Sequence, residues 1–409
     1  MVLKPSLSAK SLLPLTTPAA RRQYKVRALF LTLLAMLLLW ARHQQTLNFS
    51  GTAKGPCGQA NPSLPPARDA LTLQFEVCNG FTNQRIALLS GLVLAAATNR
   101  SVVLPEFLLN GMQLDDMQTV TADKADTVPF REWFDEGVFA QALAAHGVHV
   151  VEAPTQNATA LSLQDYDSQS KPSALVGYIK KQRAHQHIRM ACPAFRVPGS
   201  LVRKHAALLH AAVEGLQPSE RFQAIIASRR QLVEAKAGLA AYNLIHLRVE
   251  QDWFDLCKIW SNPEAGRDNC MNNTDTVGEQ LHLHGFEKEV PVVVVTSFPN
   301  AVPEALKAAL ESIKHHKYTV VLGSELAQPG QELTREESAL VDYYLGREAG
   351  KFTGNSVSTF TAFIILERQW LGRQSAHYNG GAIPLDIFFP LYTIDAPAGA
   401  KTAPAGRSS

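Results

Sequence analysis

Between residues 70 and 375 the chain switches repeatedly between two hydrophobic periods. Leu71–Val77 (LTLQFEV) alternates apolar and polar positions as a strand does, and Gln84–Asn99 (QRIALLSGLVLAAATN) is apolar over a helical length. Ser101–Leu104 reads as a second strand, stopped by Pro105. Much later, Tyr242–Val249 (YNLIHLRV) and Pro291–Phe298 (PVVVVTSF) read as strands. The second is nearly continuous in β-branched residues, as expected of a strand covered on both faces. Val302–His315 reads as helix, Tyr318–Leu322 as strand, and Glu336–Arg347 and Ser356–Gln369 as helices. Strands alternating with helices predict an α/β chain built around parallel sheets. Two such clusters, near 70–110 and 240–370, predict two Rossmann-like domains with a cleft between them, at 69–240 and 241–395. The stretch 111–240 has no clear period and is assigned mainly to the first domain. No internal repeat is visible.

Composition adds a compartment. With 409 residues, 46% of them hydrophobic, the chain has enough apolar matter for sizeable cores. Nine of the 39 basic residues and none of the 36 acidic ones precede Asp69, so the body is mildly acidic and fits a nucleic-acid partner poorly. In this basic leader Arg21, Arg22, Lys25 and Arg27 stand before an uncharged 13-residue run, Ala28–Trp40. That arrangement orients a run with its N-terminus in the cytosol. The run is short against the roughly 20 residues of a full span, and a cleaved signal peptide, a transit peptide and a core helix are the alternatives. Because no small-x-small cleavage site follows Trp40 directly, the expectation is an uncleaved type II membrane anchor at 28–41. It would follow a cytosolic tail, 1–27, and precede a stem, 42–68, with the body in the Golgi or endoplasmic reticulum lumen and a disordered end at 396–409. Sequons at Asn48, Asn99, Asn157 and Asn272 lean weakly the same way. Of Cys57, Cys78, Cys192, Cys257 and Cys270, none form C-x-x-C; Cys257 and Cys270 could close a small loop in an oxidising lumen.

Three segments carry candidate chemistry. Cys78-Asn-Gly-Phe-Thr-Asn-Gln-Arg85 joins a predicted strand to a predicted helix, where ligands bind in doubly wound sheets. Gly80 permits a tight turn there, and Asn83 presents a neutral amide, or simply caps the helix. In Ile245-His-Leu-Arg-Val-Glu-Gln-Asp-Trp253, His246 and Arg248 alternate with apolar neighbours at a strand end. Arginine grips a diphosphate bidentately; the alternative is a salt bridge from Arg248 to Glu250 or Asp252, with Trp253 in the core. The third segment, Phe352–Phe363 (FTGNSVSTFTAF), opens a helix with several hydroxyls beside free backbone N–H groups, an anion site, or else ordinary capping by Asn355 or Ser356.

In this order and spacing the segments resemble the GDP-fucose protein O-fucosyltransferase family, specifically the type that modifies EGF-like repeats. The family's F-G-N-Q segment and following strand correspond to Phe81-Thr-Asn-Gln84 and Asn99-Arg-Ser-Val-Val-Leu-Pro105. Its H-L-R-x-x-x-D-W-x-x-x-C runs here from His246 through Asp252 and Trp253 to Cys257. Its late motifs are similar to Asp342-Tyr-Tyr-Leu-Gly346 and Phe352–Phe363, and Val128–Phe134 also looks like a family segment. The chain departs at Gly80 (usually Arg), Thr82 (usually Gly), Val249-Glu-Gln251 (usually I-G-S) and Ser356 (usually Cys). The resemblance implies a two-domain, GT-B-like, inverting glycosyltransferase that uses GDP-fucose and no metal or other cofactor. It implies a Ser/Thr-bearing protein acceptor, an EGF-like repeat among the possibilities. It further implies catalytic roles for Asn83, beside the fucose and acceptor hydroxyl, and Arg248, on the β-phosphate. Donor contacts would come from Gly80, Phe81, Thr82, His246, Leu247, Asp342, Thr359 and Phe360, with Asp342 on the guanine or ribose side. Two other readings remain: a related enzyme acting on a glycan, and a non-catalytic relative that binds folded client proteins.

Two further patterns are set aside. Asp165-Tyr-Asp167 has the D-x-D form of metal-using glycosyltransferases but sits in a polar stretch without a preceding strand. Lys180–Arg189 (KKQRAHQHIR) reads as a solvated helix face.

Overall fold

The long apolar run after Asn83 forms the central helix of the body, α1 (Phe81–Thr98), buried from Phe81 to Ala95 on nearly every side. A helix that is apolar all round belongs inside a protein, and here seven of the described helices and strands pack closely against it. The computed structural model describes residues 71–379 apart from 110–125, 154–159, 164–171, 240, 252, 255–273, 298–299 and 357. All described residues belong to one compact unit. The expected anchor, stem and tail therefore lie outside the described residues, as do the Asp165–Asp167 pair, Asp252, Cys57, Cys257, Cys270 and the sequons at Asn48, Asn157 and Asn272. No described helix is long and apolar enough to cross a membrane.

Along the chain come β1 (Thr72–Phe75), β2 (Ser101–Val103), the antiparallel pair β3 (Phe107–Leu108) and β4 (Thr127–Val128), β5 (Ala160–Leu163) and β6 (His187–Met190). A first sheet is parallel in the order β2-β1-β6-β5. The stretch without a clear period supplies helices α2 (Phe130–Trp133), α3 (Glu136–Ala144), α4 (Pro172–Lys181), α5 (Gly199–Lys204), α6 (Ala206–Gly215) and α7 (Glu220–Ala237). The second sheet contains β7 (Asn243–His246), β8 (Val292–Val295), β9 (Val320–Leu322), β10 (Phe352–Gly354) and β11 (Ser375–His377), parallel in the order β11-β10-β7-β8-β9. Its helices are α8 (Val277–Leu283), α9 (Pro303–His315), α10 (Arg335–Glu348) and α11 (Thr359–Trp370). In chain order the last strand of the first sheet ends at Met190 and the first strand of the second begins at Asn243.

Pleating divides the second sheet's side chains between two cores. Leu244, Val293 and Val295 join the main cluster, which also contains α1 and the first sheet. Ile245, Leu247, Val292 and Val294 join a separate cluster with α8 and α9. The Val-rich strand is covered on both faces, as its sequence predicts.

One local expectation is corrected. Lys180–Arg189 is not one helix face: α4 stops at Lys181, a turn follows, and His187–Met190 is a strand. His187 is buried in it, bonded to Thr72 Oγ1 at 2.6 Å, and burial with Arg189 and Arg100 nearby pulls its pKa down. A disulfide joins Cys78 after β1 to Cys192 after β6, a pairing that the spacing of the cysteines does not reveal. Cross-linking residues 114 apart stabilises the fold by about 4–5 kcal/mol in the chain-entropy account.

Candidate active site

At the carboxyl ends of β1, β7, β8, β9 and β10 lies a cavity of about 660 Å³. This is where doubly wound sheets bind ligands, and the size suits a nucleotide-sized molecule. Arg229, Arg248 and Arg335 on its wall are offset by Glu250, Glu336 and Asp342.

From the first sheet comes the start of α1. The residue with a left-handed backbone is Asn79 (φ 62°), whereas Gly80 is extended (φ −69°) and forms the N-cap without a side-chain bond. The tight turn expected at Gly80 is thus taken by Asn79, one of the few residue types that tolerate it. Asn83 does not cap the helix; it is the third helical residue. Phe81 holds this turn down, its ring 5.9 Å from Trp133 and 5.7 Å from Tyr343. The Asn83 amide oxygen is buried and has no hydrogen-bond partner among the described residues, a state that costs free energy unless a ligand fills it.

From the second sheet comes the charge. On β7 and its continuation, His246 and Arg248 share one face, and Leu247 falls on the other. His246 Nδ1 lies 2.9 Å from Thr361 Oγ1 and its ring centre is 4.6 Å from that of Phe360, the two planes tilted by 44°. Burial, with Arg248 adding to it, drives its pKa down to about 3, so the imidazole is neutral at physiological pH. Arg248 receives support from three sides. Its backbone N–H donates to the Tyr378 hydroxyl at 3.0 Å, its Nε lies 3.5 Å from Glu250 Oε2, and its guanidinium sits 5.6 Å from the Trp253 ring centre. The salt bridge that the sequence offers as an alternative for Arg248 is therefore present, and the arginine still lines the cavity.

The last wall is the turn before α11. Ser356 and Asn355 precede the helix rather than cap it; Asn379 holds Ser356 through its backbone N–H and its hydroxyl at 3.0 and 2.9 Å. Ser358 is the N-cap, without a side-chain cap bond, so the first N–H groups of α11 stay available beside Ser358, Thr359 and Phe360 on the wall. The starts of α1 and α11 lack an acidic residue in their first turn, whereas α10, whose Arg335 and Glu336 also line the cavity, opens with Glu336 and Glu337. Asp342 on α10 pairs with Arg229 at 3.4 Å; burial raises its carboxyl to about 6 against the opposing pull of that arginine.

The structure brings together Gly80, Phe81, Thr82, Asn83, His246, Arg248, Asp342, Thr359 and Phe360. Leu247 is the exception: it is fully buried in the α8–α9 core and does not reach the cavity, because the pleat turns it away from His246 and Arg248. Sequence reasoning missed Arg229, Thr296, Ser297, Ser324, Arg335 and Glu336. Four of these were within reach. Thr296 and Ser297 directly follow the Val-rich strand, at its carboxyl end. Arg335 and Glu336 open a helix announced by the Thr334–Glu337 capping box.

A family model described as GDP-fucose protein O-fucosyltransferase matches residues 72–371. Among solved structures, POFUT1 in complex with GDP aligns with a TM-score of 0.50 at 16% identity, over 75% of this chain and 98% of that chain. POFUT1 in complex with GDP-fucose gives a TM-score of 0.50 at 16% identity, over 77% of this chain and 99% of that one. At such identity the likeness to these structures is one of fold. The family match spans every segment that lines the cavity, and with it the chain belongs to the GDP-fucose protein O-fucosyltransferase family, a fucosyltransferase that uses GDP-fucose.

Proposed function

We propose that the chain transfers fucose, with inversion at the anomeric carbon, from GDP-fucose to a Ser or Thr hydroxyl of a small disulfide-rich protein repeat. The observation that carries this reading is one cavity lined by both Arg248 and Asn83, the latter with a buried amide oxygen that lacks a partner among the described residues. Bond breaking to the diphosphate develops negative charge on the leaving oxygen and positive charge on the sugar ring. Arg248 and the start of α11 stabilise the first. Neutral His246 adds no second charge and serves as a shaped wall, fixed by Thr361. The Asn83 amide oxygen accepts a hydrogen bond from the acceptor hydroxyl, holding it on the sugar face away from the diphosphate. Asp342 takes the nucleoside end of the donor.

Arg248 and the helix terminus together neutralise a diphosphate, so this reading calls for no divalent metal. It also sets the body in the secretory lumen behind a type II anchor at 28–41, motivated by the basic flank before Ala28. The test is incubation of the full-length chain with GDP-fucose and folded EGF-like repeats in EDTA, with the product anomer read by NMR. Transfer of inverted fucose to the folded repeat is expected. Transfer only after Mn²⁺ addition, only to a free glycan, or not at all overturns the corresponding part of the proposal. Carbonate extraction with N-terminal sequencing tests the anchor; a soluble mature chain beginning near residue 45 would show a cleaved signal peptide.

A further inference from the structure

Glu250 is a carboxylate in a cavity read as an anion site, and it is only 2% exposed. A buried negative charge beside a diphosphate opposes donor binding, so its presence asks for a role. Its described side-chain contacts all lead to other residues on the same wall. Oε1 accepts from the backbone N–H of Ser297 at 3.2 Å and from the Thr296 hydroxyl at 3.3 Å. Oε2 faces Arg248 Nε at 3.5 Å. The carboxylate is thus clamped to the end of β8 and reaches across to the arginine that follows β7. It meets that arginine at Nε, the root of the guanidinium fork, whereas a phosphate is taken bidentately by a fork edge. The Tyr378 hydroxyl fixes the arginine's backbone N–H, so main chain and guanidinium are held separately.

We propose that Glu250 is a positioning residue for Arg248: it sets the angle of the guanidinium for the departing diphosphate and keeps product GDP from binding too tightly. This rests on the reading of the cavity as the donor site. The charge is what does both, because an uncharged side chain neither holds Nε as firmly nor repels the diphosphate.

The experiment measures GDP binding by calorimetry, transfer rates and thermal unfolding on the full-length wild type, Glu250→Gln, Arg248→Lys and the double variant. Glu250→Gln is expected to bind GDP at least threefold more tightly while kcat falls at least tenfold. In the Arg248→Lys background, which has no Nε, the same change should move kcat by less than twofold. Weaker GDP binding by Glu250→Gln, or an equal loss of kcat in both backgrounds, overturns the assignment and leaves a structural carboxylate. Should Glu250→Gln not fold, Glu250→Asp takes its place in the kcat comparison, since it keeps the charge but draws the oxygens back from Nε. If the wild type transfers fucose to no acceptor, the functional reading fails, while the GDP titrations still decide whether Glu250 opposes the diphosphate.

Discussion

The two sheets contribute unequally to one cavity. The first gives a single neutral turn, Gly80–Asn83, backed by aromatic rings. The second gives the ends of four strands, with Arg248, Glu250, Thr296, Ser297, Ser324 and the start of α11. The difference separates two tasks. A leaving diphosphate needs fixed charge, which belongs on the well-buttressed sheet end. An incoming hydroxyl needs only orientation, which a neutral amide on a helix can give.

The comparison breaks most severely if the join between the two sides is cut. Arg85, two residues past Asn83 on α1, bonds Glu367 of α11 at 2.7 Å; Tyr343 and Arg347 of α10 reach the same carboxylate at 2.6 and 2.8 Å. Tyr343 also stacks with Arg85, 4.4 Å from its ring centre. Arg85→Ala is expected to lose about 3 kcal/mol in chemical unfolding, the low end for a broken buried pair because Arg347 still serves Glu367. An unchanged midpoint would mean that the two sides are joined by apolar packing alone.

Next come the two tasks themselves. Arg248→Ala is expected to fold and to lose transfer by about a hundredfold or more, about 2.7 kcal/mol in the transition state. Arg248→Lys, which keeps charge but not the fork, should lose nearly as much. Asn83→Ala should leave GDP affinity within twofold of wild type and lower turnover instead. Equal losses of GDP affinity in Asn83→Ala and Arg248→Ala would erase the division between the walls.

A smaller effect is expected at Gly354, where β10 passes against α11. A Cβ there would collide with the Thr361 hydroxyl that holds His246. Gly354→Ala should cost roughly 1–3 kcal/mol of stability by overpacking and raise KM for GDP-fucose. Unaltered kinetics would show that His246 needs no support from Thr361.

The smallest effect is in pH. Asp342 titrates near 6 in the folded protein, above the ordinary carboxylate value, while His246, at about 3, stays neutral through that window. Donor affinity that depends on an ionised Asp342 is present above that value and weakens as pH falls through it. Binding of GDP-fucose, whose phosphates do not titrate there, should decline by a few-fold from pH 7 to 5, and Asp342→Asn should flatten the profile. A flat wild-type profile removes Asp342 from the donor site.

Much of this was legible in the chain. Val292–Val295, α1 and the segments around Asn83, His246 and Phe360 declare themselves by period or by motif. What stayed hidden depends on long-range pairing. Arg229 reaches the cavity from a helix whose polar residues give no sign of it, and it comes into place only when α7 packs on α10. The Cys78–Cys192 bridge becomes evident once β1 and β6 are neighbours in a sheet. Lys180–Arg189 misled because its polar residues span a helix end, a turn and a buried strand, three environments that composition averages together.

The pleat of β7 has a consequence for how this sequence can drift. Ile245, Leu247 and Val249 fill one core while His246 and Arg248 serve the cavity, so neighbouring letters hold two different jobs in strict alternation. Exchange of one letter damages one job. Insertion or deletion of a single residue ahead of His246 would exchange the two sets, driving an arginine into oil and aiming leucine and valine at the donor. Substitutions along this strand are therefore separable by function, but its spacing is not: lineages of this protein can vary the composition of β7 and cannot vary its phase.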